Sequence, residues 1–241
     1  MRGGTRLIAL LVSIVFLTSA VPIVRFYQSY WTRLQSVPAL VIYRENQSGG
    51  NWTPLSRISP WMAKAIVATE DRSFYSNLGV SFEGIGRALV VDLKTHSFAQ
   101  GGSTITQQLA RNTMLTPVKR FRRKIAEALL AMMMTVLYTK NQILAMYLNQ
   151  VYLGDGAFGV DSAAERYFGE SPAKLSLPQA ALLAGLPQAP SYYNPLIHFH
   201  TAKDRQRMVL ESMVADHQIS ARQARAAFRA PLHLETRAHS V

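Results

Sequence analysis

The sequence predicts a mainly α-helical domain behind an N-terminal transmembrane helix, and three observations predict it. An 18-residue stretch without charge, Leu7 to Val24, lies between Arg6 and Arg25. From Ser59 onward helix-start patterns recur, with Ser59-Pro60 followed by capping-box spacings at Thr104-x-x-Gln107, Thr139-x-x-Gln142, Thr201-x-x-Asp204 and Ser220-x-x-Gln223. No alternating strand set, no repeat of about 20–50 residues and no low-complexity linker interrupts these helices, so one folded domain is expected.

Taken in order, residues 1–6 form a short cytoplasmic N-terminus and residues 7–24 an uncleaved anchor. As a helix the anchor spans roughly 27 Å, which nearly matches the hydrocarbon core. A cleavable signal fits less well, because its apolar region usually runs about 7–15 residues and Thr18-Ser19-Ala20 is a poor cleavage site. Arg2 and Arg6 on one side and Arg25 and Arg33 on the other leave only a slight orientation bias, and Tyr27, Tyr30 and Trp31 suit the far interface. Residues 25–58 read as a juxtamembrane linker with a short strand at Leu40–Tyr43, followed by the turn-rich stretch Glu45–Thr53. Residues 59–235 read as the folded domain. Within it, Gly154, Gly156 and Gly159 mark a loop, and Gly185 with Pro187 and Pro190 ends a helix. Ala128–Leu137 is only about half a membrane span and reads as a core helix.

A chain of 241 residues with 49% hydrophobic content can bury a core, and its formal charge of +12 favours an anionic partner such as a phosphorylated substrate, anionic lipid or nucleic acid. The absence of cysteine excludes disulfide frameworks, thiolate metal sites and cysteine nucleophiles.

Two carboxylates stand in unlike settings. On a helix over 60–70, Met62, Ile66 and Glu70 fall at i, i+4 and i+8, which places Glu70 on the apolar stripe, where burial raises a carboxyl pKa and makes a better base. Read alone, Glu70-Asp71-Arg72 is also what a solvated helix end looks like. Glu127 shares a helix face with Leu130, Ala131 and Met134, one turn beyond Arg123 and Lys124, where ordinary surface ion pairing is the plainer account. Arg111, Lys119, Arg120, Arg122, Arg123 and Lys124 nevertheless place six cations within fourteen residues with no acid among them. Such a cluster suits a pyrophosphate or an anionic membrane surface; no aromatic stacking pattern or reading motif accompanies it, so nucleic acid is not expected as a partner. In Gly101-Gly102-Ser103-Thr104 the glycines permit close backbone approach, Ser103 or Thr104 can cap the next helix, and the free amides favour an anion. Gln107 and Gln108 add neutral amides that suit sugar hydroxyl or acetamido groups.

Glu70-Asp71-x-x-Phe74, Gly102-Ser103-Thr104-x-x-Gln107-Gln108, Arg123-Lys124-x-x-Glu127 and Ile143-Leu144-x-x-Tyr147-Leu148-Asn149 resemble, in order and spacing, the motifs of the bacterial peptidoglycan glycosyltransferases, glycosyltransferase family 51. The likeness runs from about Leu40 to Tyr193-Asn194-Pro195 and is to the monofunctional, membrane-anchored form. Two positions depart from the family pattern: Asn77 stands where a His is usual, and Arg111 where Lys is common.

The resemblance implies a lysozyme-like helical domain outside the bacterial inner membrane, polymerising lipid II into β-1,4-linked glycan strands with inversion and release of undecaprenyl pyrophosphate. It assigns Glu70 as the base that takes the proton from the acceptor 4-hydroxyl. Glu127 organises the pyrophosphate region, directly or through a divalent metal (Mg or Mn), with no tightly bound cofactor. Arg111, Lys119, Arg123 and Lys124 offset the leaving group's charge, and Ser103, Gln107, Gln108 and Asn112 line the donor site, with Asp71, Phe74 and Thr104 beside them. The implied partners are lipid II, the growing strand, the membrane and a cell-wall synthesis complex. Phe98, Met114, Leu115, Val118 and Phe121 are candidates for an apolar lip that admits the lipid, and core packing explains them equally.

Two other readings stay open at this stage. A lysozyme-like lytic enzyme shares the carboxylate and the fold but needs no cation cluster, because its leaving group carries no pyrophosphate. A catalytically inactive, membrane-anchored scaffold is suggested only by Asn77. Transpeptidase chemistry is set aside, because Ser171-x-x-Lys174 is not followed by Ser-x-Asn, and Lys94-Thr95 precedes His96 where Gly is needed.

Overall fold

The structure is a computed structural model that describes residues 21–47, 49–81, 83–84, 102–115 and 120–235, apart from the side chains of Arg120 and Phe121. The chain divides into two compact units, Met1–Val37 and Pro38–Val241. In the first, residues 21–35 are helical and the Ser36 amide closes a turn onto the Thr32 and Arg33 carbonyls. The expected anchor over 7–24 lies outside the described residues except at 21–24. Among the described residues no helix is long and apolar enough to cross a membrane.

The second unit is helical throughout its described length, with no strand among the described residues beyond an isolated bridge between Tyr152 and Phe158. Its helices are α1 (Val37–Gln47), α2 (Pro60–Glu70), α3 (Ile105–Met114), α4 (Arg120–Leu137), α5 (Lys140–Leu148), α6 (Gly159–Phe168), α7 (Leu177–Gly185), α8 (Phe199–Ala215) and α9 (Ala221–Arg229). Short 3-10 turns occur at Leu55–Arg57, Pro172–Lys174 and Leu186–Gln188.

Helix α1 corrects the expectation of a strand at Leu40–Tyr43. Val37, Val41 and Glu45 are all buried at i, i+4 and i+8, while Tyr43 and Arg44 face out. The apolar run of four suits either structure by length, and the helical stripe is obscured in the sequence because its third member is a carboxylate. Residues 38–58, read as a linker, thus lie inside the compact unit.

Capping fixes most of the remaining starts. Thr104, Thr139 and Ser220 each form the expected two-way box with a glutamine, and Ser176 with Gln179 forms another that the sequence reading passed over. Thr201-x-x-Asp204 is not a cap: α8 already begins at Phe199, so both residues lie within it. Pro60 opens α2 as expected, but Ser59 spends its hydroxyl on the Leu175 carbonyl at 2.7 Å, tying α2 to the stretch before α7 instead of capping.

Helix α7 is apolar on every side, with Ala180, Ala181, Leu182, Leu183 and Ala184 buried, and it packs between α2 and α8. Helix α3 packs on α4 and α5. The two groups are joined where the loop after α2 crosses α4. Gly79 has φ +89°, and a Cβ there would come within 2.4 Å of the Ala131 carbonyl oxygen, so only glycine fits that crossing. As expected, α4 buries Leu130, Ala131, Met133 and Met134 in the core.

Candidate active site

Glu70 is the last residue of α2, on the stripe that buries Met62 and Ile66. Gln108 Nε2, on α3, donates to Glu70 Oε2 at 2.6 Å, and the Tyr147 hydroxyl of α5 donates to Gln108 Oε1 at 3.2 Å. Burial raises the Glu70 pKa; the Gln108 hydrogen bond and the charges of Arg205 and Arg111 act against it, and Asp71 adds to it. The helix end is therefore not a solvated triplet. Tyr147 itself is fully buried, and its phenol is pushed well up by burial and then by Glu70, so it stays a donor.

Glu127 is 2% exposed and stands between two cations, with Arg123 Nε 3.4 Å from Oε1 and Lys124 Nζ 3.2 Å from Oε2. The Arg123 approach is an ion pair without hydrogen-bond alignment. Lys124 also donates to the Ser103 hydroxyl at the start of α3. Surface pairing does not describe this arrangement: the acid is buried and both cations keep an exposed flank, 33% for Arg123 and 47% for Lys124. Two groups thus meet α3 from other helices: Lys124 of α4 at the Ser103 hydroxyl just before its start, and Glu70 of α2 at Gln108 in its middle.

Other expected site residues take supporting roles. Asp71 is buried and accepts from Asn77 Nδ2 at 2.9 Å, the Ile105 amide at 3.2 Å and the Ser73 hydroxyl at 3.2 Å, so it ties the loop after α2 to the first turn of α3. Burial raises its pKa while these bonds and Lys140 lower it. Phe74 is buried and packs beneath the Lys140 ammonium, 4.9 Å from the ring centre. Thr104 and Gln107 are buried in the capping box, and Thr104 also donates to the Gly79 carbonyl at 2.6 Å. Asp71, Thr104 and Gln107 thus commit polar atoms to the loop and the start of α3, and Phe74 packs in the core. Ser103, Gln108 and Arg111 remain partly open, and Asn112 is exposed, its carbonyl accepting from Arg44 at 2.6 Å. Lys119, Phe98 and Val118 lie outside the described residues, as does the Phe121 side chain; of the apolar lip, Met114 is buried.

Asn77 bridges two charges: its amide donates to Asp71, and its oxygen accepts from Lys140 Nζ at 3.0 Å and from the Gly79 amide at 2.9 Å. It therefore holds the loop by hydrogen bonding with no proton to exchange.

One turn beyond Gln108 along α3 opens a cavity of about 820 Å³ whose lining includes Tyr43, Glu45, Asn112, Gln150, Tyr152 and Phe158. It excludes both Glu70 and Glu127. Burial and then Asp161 push Glu45 up to about 9, so this carboxyl is neutral near pH 7, while Arg44 supplies the wall's positive charge. Gln150 Nε2 is buried without a hydrogen-bond partner, and the Tyr152 and Phe158 rings lie 4.7 Å apart. Of these lining residues the sequence pointed only to Asn112. Gln150 directly follows the Tyr147-Leu148-Asn149 motif, which is the one signal that could have found it.

Among the described residues no three His, Asp or Glu converge, and Glu127 is already matched by two cations.

A desolvated carboxylate, Glu70, and a cation pair held by Glu127 thus each contact α3 or the residues that start it. The chain belongs to the transglycosylase family, whose description as Transglycosylase matches residues 38–214. It is 44% identical to penicillin-binding protein 1A of Aquifex aeolicus over 75% of this chain and 25% of that protein. It is 47% identical to penicillin-binding protein 1A of Escherichia coli over 70% of this chain and 20% of that protein. The chain thus spans about a quarter or less of the length of these curated relatives. The 2.6 Å crystal structure of penicillin-binding protein 1A from Haemophilus influenzae is 39% identical over 41% of this chain and 15% of its own, with a TM-score of 0.39.

Proposed function

We propose that the protein polymerises lipid II into β-1,4-linked glycan strands at the outer face of the bacterial cytoplasmic membrane. The observation that carries this reading is two carboxylates in opposite electrostatic settings, Glu70 of α2 bonded to Gln108 of α3 and Glu127 of α4 holding Lys124 against Ser103 before α3. Glu70 takes the proton from the acceptor 4-hydroxyl as that oxygen attacks the anomeric carbon of the donor. The bond from that carbon to pyrophosphate breaks, its electron pair leaves with undecaprenyl pyrophosphate, and the configuration inverts. Gln108 keeps one carboxylate oxygen in place and leaves the other to receive the proton.

Glu127 acts as a positioning carboxylate: it fixes Lys124 and Arg123 where negative charge develops on the leaving group, and the open flank of each cation faces outward to meet it. The strand's sugars lie along α3 toward the cavity at Asn112 and Gln150, where a buried amide donor awaits an acceptor and paired aromatic rings suit a pyranose face. Residues 7–24 anchor the domain, so that it meets its polyprenyl substrates in two dimensions, and other cell-wall synthesis proteins work beside it. The cation pair speaks against a lytic enzyme. The scaffold reading loses its motive, since Asn77 satisfies the loop without a histidine.

The test is incubation of the detergent-solubilised protein with labelled lipid II. Polymer is expected from the wild type, and Glu70→Gln, which keeps volume but accepts no proton, should lose about 10²–10⁴ in rate with an unchanged thermal melt. A Gln variant that polymerises within a few-fold of wild type would remove Glu70 as the base.

A further inference from the structure

Two arginines act on Glu70, and only one belongs to the helix that carries the site. Arg111 lies on α3, three residues beyond Gln108. The other is Arg205 on α8, a helix that packs against both α2, which ends at Glu70, and α7, which ends at Gly185.

Arg205 is held by two contacts and passes close over a glycine. Its Nε donates to the Gly185 carbonyl at 3.2 Å, and its guanidinium carbon stands 5.7 Å from the centre of the Tyr193 ring. A Cβ at Gly185 would come within 2.7 Å of Arg205 Cγ. Gly185 has φ −81°, which any residue adopts, so the glycine is needed for the close passage of the arginine stem and not for its backbone conformation. The encroached atom lies near the root of the side chain, so a methyl group there displaces the whole of Arg205. Such pinning removes rotamer freedom that a long cation ordinarily keeps, and it fixes a charge near a carboxylate that burial would otherwise neutralise. The charged and titratable groups around Glu70 are Asp71 beside it, Arg111 on α3, Tyr147 on α5 and Arg205 on α8. Of the two cations, Arg205 alone approaches from the side of α7 and α8, away from the helix that bears the donor-site residues.

We infer that Arg205 is a positioning residue for glycosyl transfer, holding its cation beside Glu70 through the slot left by Gly185 so that the carboxylate is ready to accept the acceptor's proton. This rests on Glu70 being the base. It assigns a function to Gly185 as well, which touches no substrate and acts only by leaving room.

The experiment is the pH profile of lipid II polymerisation for wild type, Arg205→Met, Arg205→Lys and Gly185→Ala, each checked by thermal melting. With the cation removed, Glu70 holds its proton to higher pH. Arg205→Met should therefore lose about tenfold on the acid limb and recover to within about twofold on the alkaline plateau. Arg205→Lys should restore most of the acid limb. Gly185→Ala, which keeps the charge but displaces it, should move the profile in the same direction as Arg205→Met. A loss that is uniform across pH, or an unshifted profile in folded Arg205→Met or Gly185→Ala protein, overturns the inference. Glu70→Gln measured in parallel separates the two ideas: an active Gln variant removes the reading of Glu70, while an inactive one with unshifted arginine and glycine variants removes only the role of Arg205.

Discussion

Asn77 shows how a residue can leave a family pattern without leaving its task. The position must join Asp71 to Lys140 and receive the Gly79 amide, and one amide side chain does all three. Asn77→Leu strands a buried carboxylate and an ammonium, which should cost about 1–3 kcal/mol and appear as a lower Tm with slower polymerisation. Asn77→His can donate from one ring nitrogen and accept at the other, so its rate and pH profile should stay close to wild type. Glu45 carries the clearest pH dependence. Its folded pKa of about 9 lies above the ordinary carboxyl value of 4.5, so the folded state binds the proton more tightly than the unfolded chain does. Its contribution is therefore fully present below about pH 4.5 and is lost progressively as pH rises toward 9. Glu45→Gln should raise Tm relative to wild type at pH 8, and the gap should close as the melt is repeated toward pH 4.5. Glu70 was legible because the 3.6-residue period places it on a stripe with Met62 and Ile66. Glu45 obeys the same period with Val37 and Val41 and was missed, since a carboxylate in third place reads as the end of an apolar run.

At the scale of elements, cap chemistry did much of the specifying. Thr104, Thr139 and Ser220 start helices where their spacing says, because a hydroxyl and a glutamine three residues on satisfy amides that a helix start leaves open. Two of these caps differ in consequence. Ser220 serves α9 alone, whereas Thr104 also donates to the Gly79 carbonyl and so couples α3 to the loop over α4. Ser220→Ala should cost about 0.5–1 kcal/mol and leave activity intact. Thr104→Ala should cost more, about 1–2 kcal/mol, and slow polymerisation, because Ser103 and Gln108 are carried on the same helix. Chemical denaturation of the two variants beside wild type measures the difference. Thr201-x-x-Asp204 shows the limit of such patterns: the same letters occur inside a helix when the start is set two residues earlier.

Across the whole molecule, the anchor read from residues 7–24 makes a separate prediction. Removing residues 1–24 should slow polymerisation of lipid II embedded in vesicles far more than of lipid II in detergent micelles, since only the first case depends on two-dimensional encounter; equal effects would speak against tethering. The helical class, the starts of α2, α3, α5 and α9, and the family motifs that contain Glu70 and Glu127 were determined by the sequence itself, because periodicity, capping and motif spacing are local and need no knowledge of what lies across the fold. Only the tertiary structure decided how Asp71, Phe74, Thr104 and Gln107 hold the loop and the start of α3. The cavity at Gln150 and the convergence of Arg205 on Glu70 were likewise decided there. The physical reason is that burial and partnership are properties of packing: the 135 positions from Glu70 to Arg205 separate two charges that the contacts of α8 with α2 bring together, and no local pattern encodes that contact.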